Sequence, residues 1–242
     1  MPRYPSSTHG ASFSFGPGPL STVLKGLIAA NVVMFIAQWL APDMQFVLGL
    51  QPKAVVEQGR LWQLGTYMFL HGGPSHILFN MLGLWMFGTE LERIWGTRYF
   101  LKYYFVTGIG AGALTVAVAL LLSTELYQAW VIGASGAIYG LLLAYGLYFP
   151  DRPIYMYLVF PIPAKYFVMI MGAFTFYMSM GRGSGVAHLA HLGGLVAGYL
   201  YLKGGRWQPL GEIKYRYLRW KMSRARRRFD VYAGGKQDRH IH

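Results

Sequence analysis

The sequence predicts an all-α membrane protein, with six transmembrane helices in a compact bundle and an interfacial loop between the first and second helices. Three observations carry this expectation. The 242 residues are 54% hydrophobic and only 13% charged, whereas a soluble domain carries about a quarter charged residues. Six separate apolar stretches each approach the length that a bilayer crossing needs. The lysines and arginines fall overwhelmingly on the loops of one side, as the positive-inside rule demands.

Residues 1–20 are rich in Pro, Gly and Ser, lack the apolar core of a cleavable signal, and read as a flexible N-terminal arm. The apolar segments follow at residues 22–40, 75–91, 99–122, 133–149, 165–180 and 186–203, within a membrane domain of residues 21–203. The second contains His76 and Asn80 and ends in Glu90 and Glu92, which lipid alone would not tolerate. The loop of residues 41–74, with Trp62, Tyr67 and Phe69, is too apolar for a free linker and is expected in the outer interface. Residues 204–242 form a basic tail.

With a cytoplasmic N-terminus, the inside segments hold 19 of the 22 Lys and Arg, and the outside segments only Lys53, Arg60 and Arg182. Without the tail the ratio is still seven to three. The net charge of +13 arises largely from 12 cations at or beyond Lys203, including the run from Arg224 to Arg228. Such a tail marks the cytoplasmic side and contacts anionic lipid, so the expected partner is the lipid bilayer and not nucleic acid. The absence of cysteine excludes disulfides, thiolate nucleophiles and cysteine metal sites.

This orientation brings polar residues to one depth. The second, fourth and sixth segments all descend from the outer face. His71 lies just ahead of the second, and His76 and Asn80 lie in its first two turns. Ser135 opens the fourth, and His188 and His191 lie early in the sixth. At ~1.5 Å per residue all fall within roughly 10 Å of one boundary. Ionisable residues inside a membrane mark functional sites by default, although single histidines also cap helices or sit in the interface.

The local pattern around Ser135 suits nucleophilic catalysis. Gly133, Ala134, Ser135 and Gly136 occupy a helix start, where backbone N–H groups lack intrahelical partners and can stabilise an oxyanion. Gly136 and Gly140 on the fourth helix, and Gly194 and Gly198 on the sixth, form small-residue faces that permit near backbone-to-backbone packing. That packing brings Ser135 within reach of His191, with Tyr139 one turn below Ser135 on the same face. Packing alone also accounts for Gly/Ser motifs. A zinc hydrolase built from His71, His76, His188 and His191 is a rival, but the chain has no HExxH and no carboxylate at that depth, so no metal or other cofactor is expected. A transporter is a further rival, without an inverted-repeat signal.

From about Leu20 to Lys203 the chain resembles the rhomboid intramembrane serine proteases. The resemblance rests on Trp62 with the run from Thr66 through His71, on the segment from His76 to Asn80, and on Gly88, Glu92 and Gly96. It continues with Gly133, Ala134, Ser135 and Gly136 followed by Tyr139, and with Ala190, His191, Leu192, Gly193, Gly194 and Gly198. It implies a Ser135–His191 dyad with no acidic third member, oxyanion donors at His76 and Asn80, and an aromatic support for the histidine at Tyr139. It also implies a loop-fixing role for His71 and a supporting or structural one for His188. Substrates would be single-pass or polytopic membrane proteins, cut near the outer face. Six helices resemble the simpler bacterial arrangement, implying a bacterial inner membrane with both termini cytoplasmic. The family's structural Trp-Arg pair is Trp62-Gln63 here, which removes an ion pair from the first loop and puts its anchoring in question. The alternative within the family is a non-catalytic rhomboid-like protein that binds membrane helices.

Overall fold

Helix α1 (Thr22–Leu40) starts where the Ser21 side chain accepts a hydrogen bond from the Leu24 N–H at 3.1 Å, satisfying one donor of the first turn. The structure is a computed structural model and describes residues 17–122, 124–156, 160–180 and 185–206. Most of the expected N-terminal arm, Arg182, and the basic tail beyond residue 206 with Arg224 to Arg228 lie outside the described residues. Residues up to Leu202 form one unit and residues from Lys203 a second. The elements that bring the candidate side chains together belong to the first.

After α1 the chain does not run as an open loop. It forms the short helices α2 (Met44–Leu48), α3 (Pro52–Glu57) and α4 (Gln63–Thr66) and a 3-10 turn over Tyr67–Phe69. Leu50, Tyr67, Met68 and Leu70 from this segment are buried. Its anchoring does not need the missing ion pair. Gln63 is fully buried, accepts from the Gln51 N–H at 3.1 Å and donates to the Val47 carbonyl at 3.2 Å, while Trp62 Nε1 donates to the same carbonyl at 3.0 Å. A neutral amide thus offers both a donor and an acceptor, where a guanidinium offers donors only.

Helix α5 (Pro74–Trp95) opens with proline in its first turn, where a missing N–H costs nothing, and stops at Gly96, whose φ of +74° favours glycine. Helix α6 (Thr97–Leu122) begins at once. The junction is tied through Glu92, buried at 7% exposure, whose carboxylate accepts from the Ser21 and Thr97 hydroxyls. The glutamates of the second apolar segment are therefore satisfied within the protein. Glu90 pairs with Arg93 at 3.2 Å and Arg152 at 3.0 Å.

After α7 (Thr124–Gln128), Val131 bridges back to Leu50 and the chain enters α8 (Ser135–Tyr148). A hairpin follows, β1 (Pro153–Met156) antiparallel to β2 (Phe160–Pro163), with Ile154 opposite Ile162. Four-residue strands carry too short a pattern to announce themselves in the sequence. Helices α9 (Ala164–Ser179) and α10 (Gly185–Arg206) complete the order.

Among the described residues, the six helices of fourteen residues or more coincide with the six apolar segments. Thr22–Leu40 and Thr97–Leu121 are long and apolar enough to cross a membrane, and Ser135–Tyr148 is apolar but shorter. Helix α8 is central, with nine of its fourteen residues buried, against three of nineteen in α1 and two of sixteen in α9. The outer side chains of α1 and α9 are apolar: Val33, Ile36 and Trp39 on one, Met169, Phe176 and Tyr177 on the other, all more than half exposed. Water would penalise such surfaces by about 25 cal/mol per Å² of apolar area, whereas lipid does not.

Candidate active site

The N-terminal ends of α5, α8 and α10 meet, and the candidate side chains gather there. Gly133 makes the turn into α8. Its φ is +124°, a conformation that side chains rarely adopt, and its N–H donates to the Tyr67 carbonyl at 2.9 Å. This turn places Ser135 as the first residue of α8, behind Ala134 at the N-cap. Tyr67 is itself fixed, its hydroxyl donating to the Gly108 carbonyl at 2.7 Å.

His191, in the second turn of α10, points its Nε2 at Ser135 Oγ, 2.7 Å away. The small-residue faces make this approach possible. A β-carbon on Gly194 would overlap the Gly136 carbonyl, and one on Gly198 would sit 3.3 Å from the Gly140 Cα and 2.5 Å from the Tyr103 hydroxyl. A β-carbon on Gly136 would lie 2.7 Å from that of Ala111 and 3.1 Å from the Tyr67 hydroxyl. Tyr139 stacks on His191 with ring centroids 4.4 Å apart and planes 6° from parallel. The His191 Nδ1 is buried with no hydrogen-bond partner among the described residues, so no carboxylate orients this ring.

His76 and Asn80 stand on the facing helix, α5. The Gly72 N–H donates to His76 Nδ1 at 3.2 Å. In a neutral ring this leaves the proton on Nε2. That nitrogen and Ser135 Oγ border the same small space: a β-carbon on Gly133 would be 2.7 Å from His76 Nε2 and 3.7 Å from Ser135 Oγ. Asn80 is buried, its amide donates to the His76 carbonyl at 2.8 Å, and its Oδ1 has no partner among the described residues. The His76 Nε2–H and the start of α8 therefore border the space beside the Ser135 hydroxyl, and Asn80 lies one helical turn further along α5 from His76.

Two further histidines, His71 and His188, lie beside these rings. His71 is buried ahead of α5, its N–H donates to Gln38 Oε1 of α1 at 2.8 Å, and its ring meets His76 edge-on at 5.1 Å. Burial first, and then the nearby His76, holds the His71 imidazole down from its ordinary 6.5 to about 4, so it is neutral near pH 7. His188 is half-buried and meets the His191 ring edge-on at 5.6 Å and Phe174 at 6.3 Å. Among the described residues no three of His, Asp and Glu come together as a metal-ligand set.

Sequence reasoning did not single out Gln38, the partner of the His71 backbone, or Thr175 of α9, whose hydroxyl meets that of Tyr139 at 3.1 Å. Each acts across more than thirty residues, and nothing in its local sequence distinguishes it. Chemically, the arrangement offers a hydroxyl in contact with a histidine nitrogen and an imidazole N–H bordering the same small space, groups of the kind that nucleophilic attack on a carbonyl employs.

Known proteins resemble this chain. The family model for the Rhomboid domain matches residues 58–207. The RHOMBOID-like protein 12, mitochondrial, of Arabidopsis thaliana is 30% identical over 189 residues, 71% of this chain and 55% of that protein. The Rhomboid protease GluP of Bacillus subtilis is 34% identical over 154 residues, 62% of this chain and 27% of that protein. The Rhomboid protein 1, mitochondrial, of Saccharomyces cerevisiae is 33% identical over 200 residues, covering 80% and 56% respectively. The chain thus spans about half the length, or less, of these curated relatives. With more than half of its residues matched by the family model, the chain belongs to the rhomboid family, whose members are membrane-embedded and include intramembrane serine proteases.

Proposed function

We propose that this chain is an intramembrane serine endopeptidase that cleaves single-pass or polytopic membrane proteins near the outer membrane face. The observation that carries this reading is the 2.7 Å contact between His191 Nε2 and Ser135 Oγ, made by two different helices. A neutral His191 takes the Ser135 proton as Oγ attacks the scissile carbonyl, then delivers it to the leaving amine. His76 Nε2–H, the Asn80 amide and the Ser135 N–H receive the oxyanion, and each such donor is worth ~3 kcal/mol in serine proteases. The second proton and oxygen come from water, which hydrolyses the acyl-enzyme.

The six long helices are read as the spans, with residues 41–73 in the outer interface and the N-terminal side of α1 cytoplasmic, as the distribution of Lys and Arg supports. A bacterial inner membrane fits that arrangement. A peptide bond inside a substrate helix is shielded, so helix-weakening Gly or Pro near the cut favours cleavage. The glycine-lined approach to Ser135 favours a small residue before the cut.

Proteolysis of a model membrane substrate in liposomes tests the reading. Wild type is expected to cleave, and Ser135→Ala and His191→Ala are not. A serine-directed fluorophosphonate is expected to label wild type and spare Ser135→Ala. A wild-type protein that is neither active nor labelled belongs instead to the rhomboid-like proteins that bind membrane helices without cutting them.

A further inference from the structure

We infer that Thr175, on α9, is a positioning residue for His191 and acts through the Tyr139 hydroxyl; this rests on the proposed Ser135–His191 chemistry.

The His191 ring needs something to hold it. Its Nε2 faces Ser135, its Nδ1 has no hydrogen-bond partner among the described residues, and the face of Tyr139 lies against it at 4.4 Å. A stacked ring fixes its neighbour only as firmly as it is fixed itself. Stacking sets separation and tilt, but it leaves a tyrosine free to rotate about its side-chain bonds unless its far end is tethered. In this chain the far end is tethered by Thr175, at 3.1 Å.

The behaviour of the other buried threonines makes this contact informative. Thr89, Thr107 and Thr115 each turn the hydroxyl back onto their own helix, donating to the carbonyls of Trp85, Tyr103 and Ala111 at 2.7, 2.8 and 2.8 Å. That is the ordinary solution for threonine in an apolar helix. Thr175 is as fully buried, yet its hydroxyl reaches across to α8. It is one of only two buried residues on α9, and its neighbours Phe174 and Phe176 are exposed. A valine would fill the same volume without a polar atom to satisfy. The hydroxyl therefore serves the contact with Tyr139, and a line of contacts runs from α9 through Tyr139 of α8 to His191 of α10 and on to Ser135.

The test compares Thr175→Val, Thr175→Ser, Tyr139→Phe and the double variant Thr175→Val/Tyr139→Phe in the liposome cleavage assay. Removing one hydrogen bond of ordinary strength corresponds to about fivefold. Thr175→Val is expected to lose about that factor in kcat with KM unchanged, and Thr175→Ser is expected to restore it. Tyr139→Phe should match Thr175→Val, and the double variant should be no worse than either. Wild-type activity in Thr175→Val, equal impairment in Thr175→Ser, or losses that multiply in the double variant would each overturn the inference. Should wild type itself prove inactive, the proposed function fails separately, and the positioning role is read from the His191 ring resonances in a histidine-labelled sample. Thr175→Val is then expected to shift them and Thr175→Ser to leave them; unchanged resonances in Thr175→Val refute it without reference to activity.

Discussion

Gly194 of α10 lies against the backbone of Gly136 in α8, so closely that a side chain on Gly194 would run into the Gly136 carbonyl. Ser135 adjoins Gly136, and His191 precedes Gly194 by just under one turn. The separation of the hydroxyl and the imidazole is therefore set by a glycine contact that involves neither of them. Gly194→Ala is expected to push the two helices apart and lower kcat/KM by about 100-fold, as a displacement near 1 Å does in other enzymes. The thermal midpoint should fall as well, because over-packing costs about 1–3 kcal/mol. Cleavage kinetics and thermal unfolding in detergent measure both.

Gly133 faces two demands at once. Its φ of +124° disfavours a side chain, and a β-carbon would sit 2.7 Å from His76 Nε2. Gly133→Ala is expected to displace the His76 ring and lower kcat by about 100-fold, the magnitude seen on losing one oxyanion donor. The ratio of kcat to fluorophosphonate labelling in a series of donor variants separates this effect from general unfolding.

Asn80 turns its amide to the carbonyl one helical turn back and leaves Oδ1 unpartnered. Its loss should cost the fold little, because the carbonyl it contacts already belongs to helix α5. Asn80→Ala is expected to reduce kcat by about 100-fold with KM nearly unchanged, the signature of an interaction made chiefly in the transition state. A rise in KM at constant kcat would mean that Asn80 binds substrate instead.

The buried His71 ring binds its proton only near pH 4 in the folded protein, whereas in the unfolded chain it does so near 6.5. Between these values the unfolded state holds the extra proton, so acid favours unfolding. The stability associated with the neutral ring is complete above about 6.5 and is lost as pH falls toward 4. Burial is the largest cause of the lowered value, and a phenylalanine fills a similar volume with no nitrogen to titrate. His71→Phe is expected to flatten the fall in thermal midpoint between pH 7 and pH 4.5; an unchanged slope would place the acid sensitivity elsewhere.

Much of the site was legible in the sequence because membrane solvation makes polar residues conspicuous. Ser135, His76, Asn80 and His191 stood out against apolar segments, and the charge asymmetry predicted a common level for them. The spacing of Gly136 with Gly140 and Gly194 with Gly198 announced which helix faces come close. Gln63 shows the opposite case. Its neutral side chain suggested a weakened first loop, yet an amide buried between Gln51 and Val47 ties that loop with one donor and one acceptor. The hairpin of residues 153–163 likewise left no periodic signal, since its strands are four residues long.

The sequence alone determined which segments are apolar, which polar residues interrupt them, and where glycine permits close packing, because hydropathy, charge and the absence of a β-carbon are local properties. The tertiary structure decided which side chains meet beyond these: Thr175 at the Tyr139 hydroxyl, Gly72 at His76 Nδ1, Gln38 at the His71 backbone. Partnership and ring orientation depend on contacts between helices distant in the chain, and a local pattern narrows the facing surface without naming the side chain it meets.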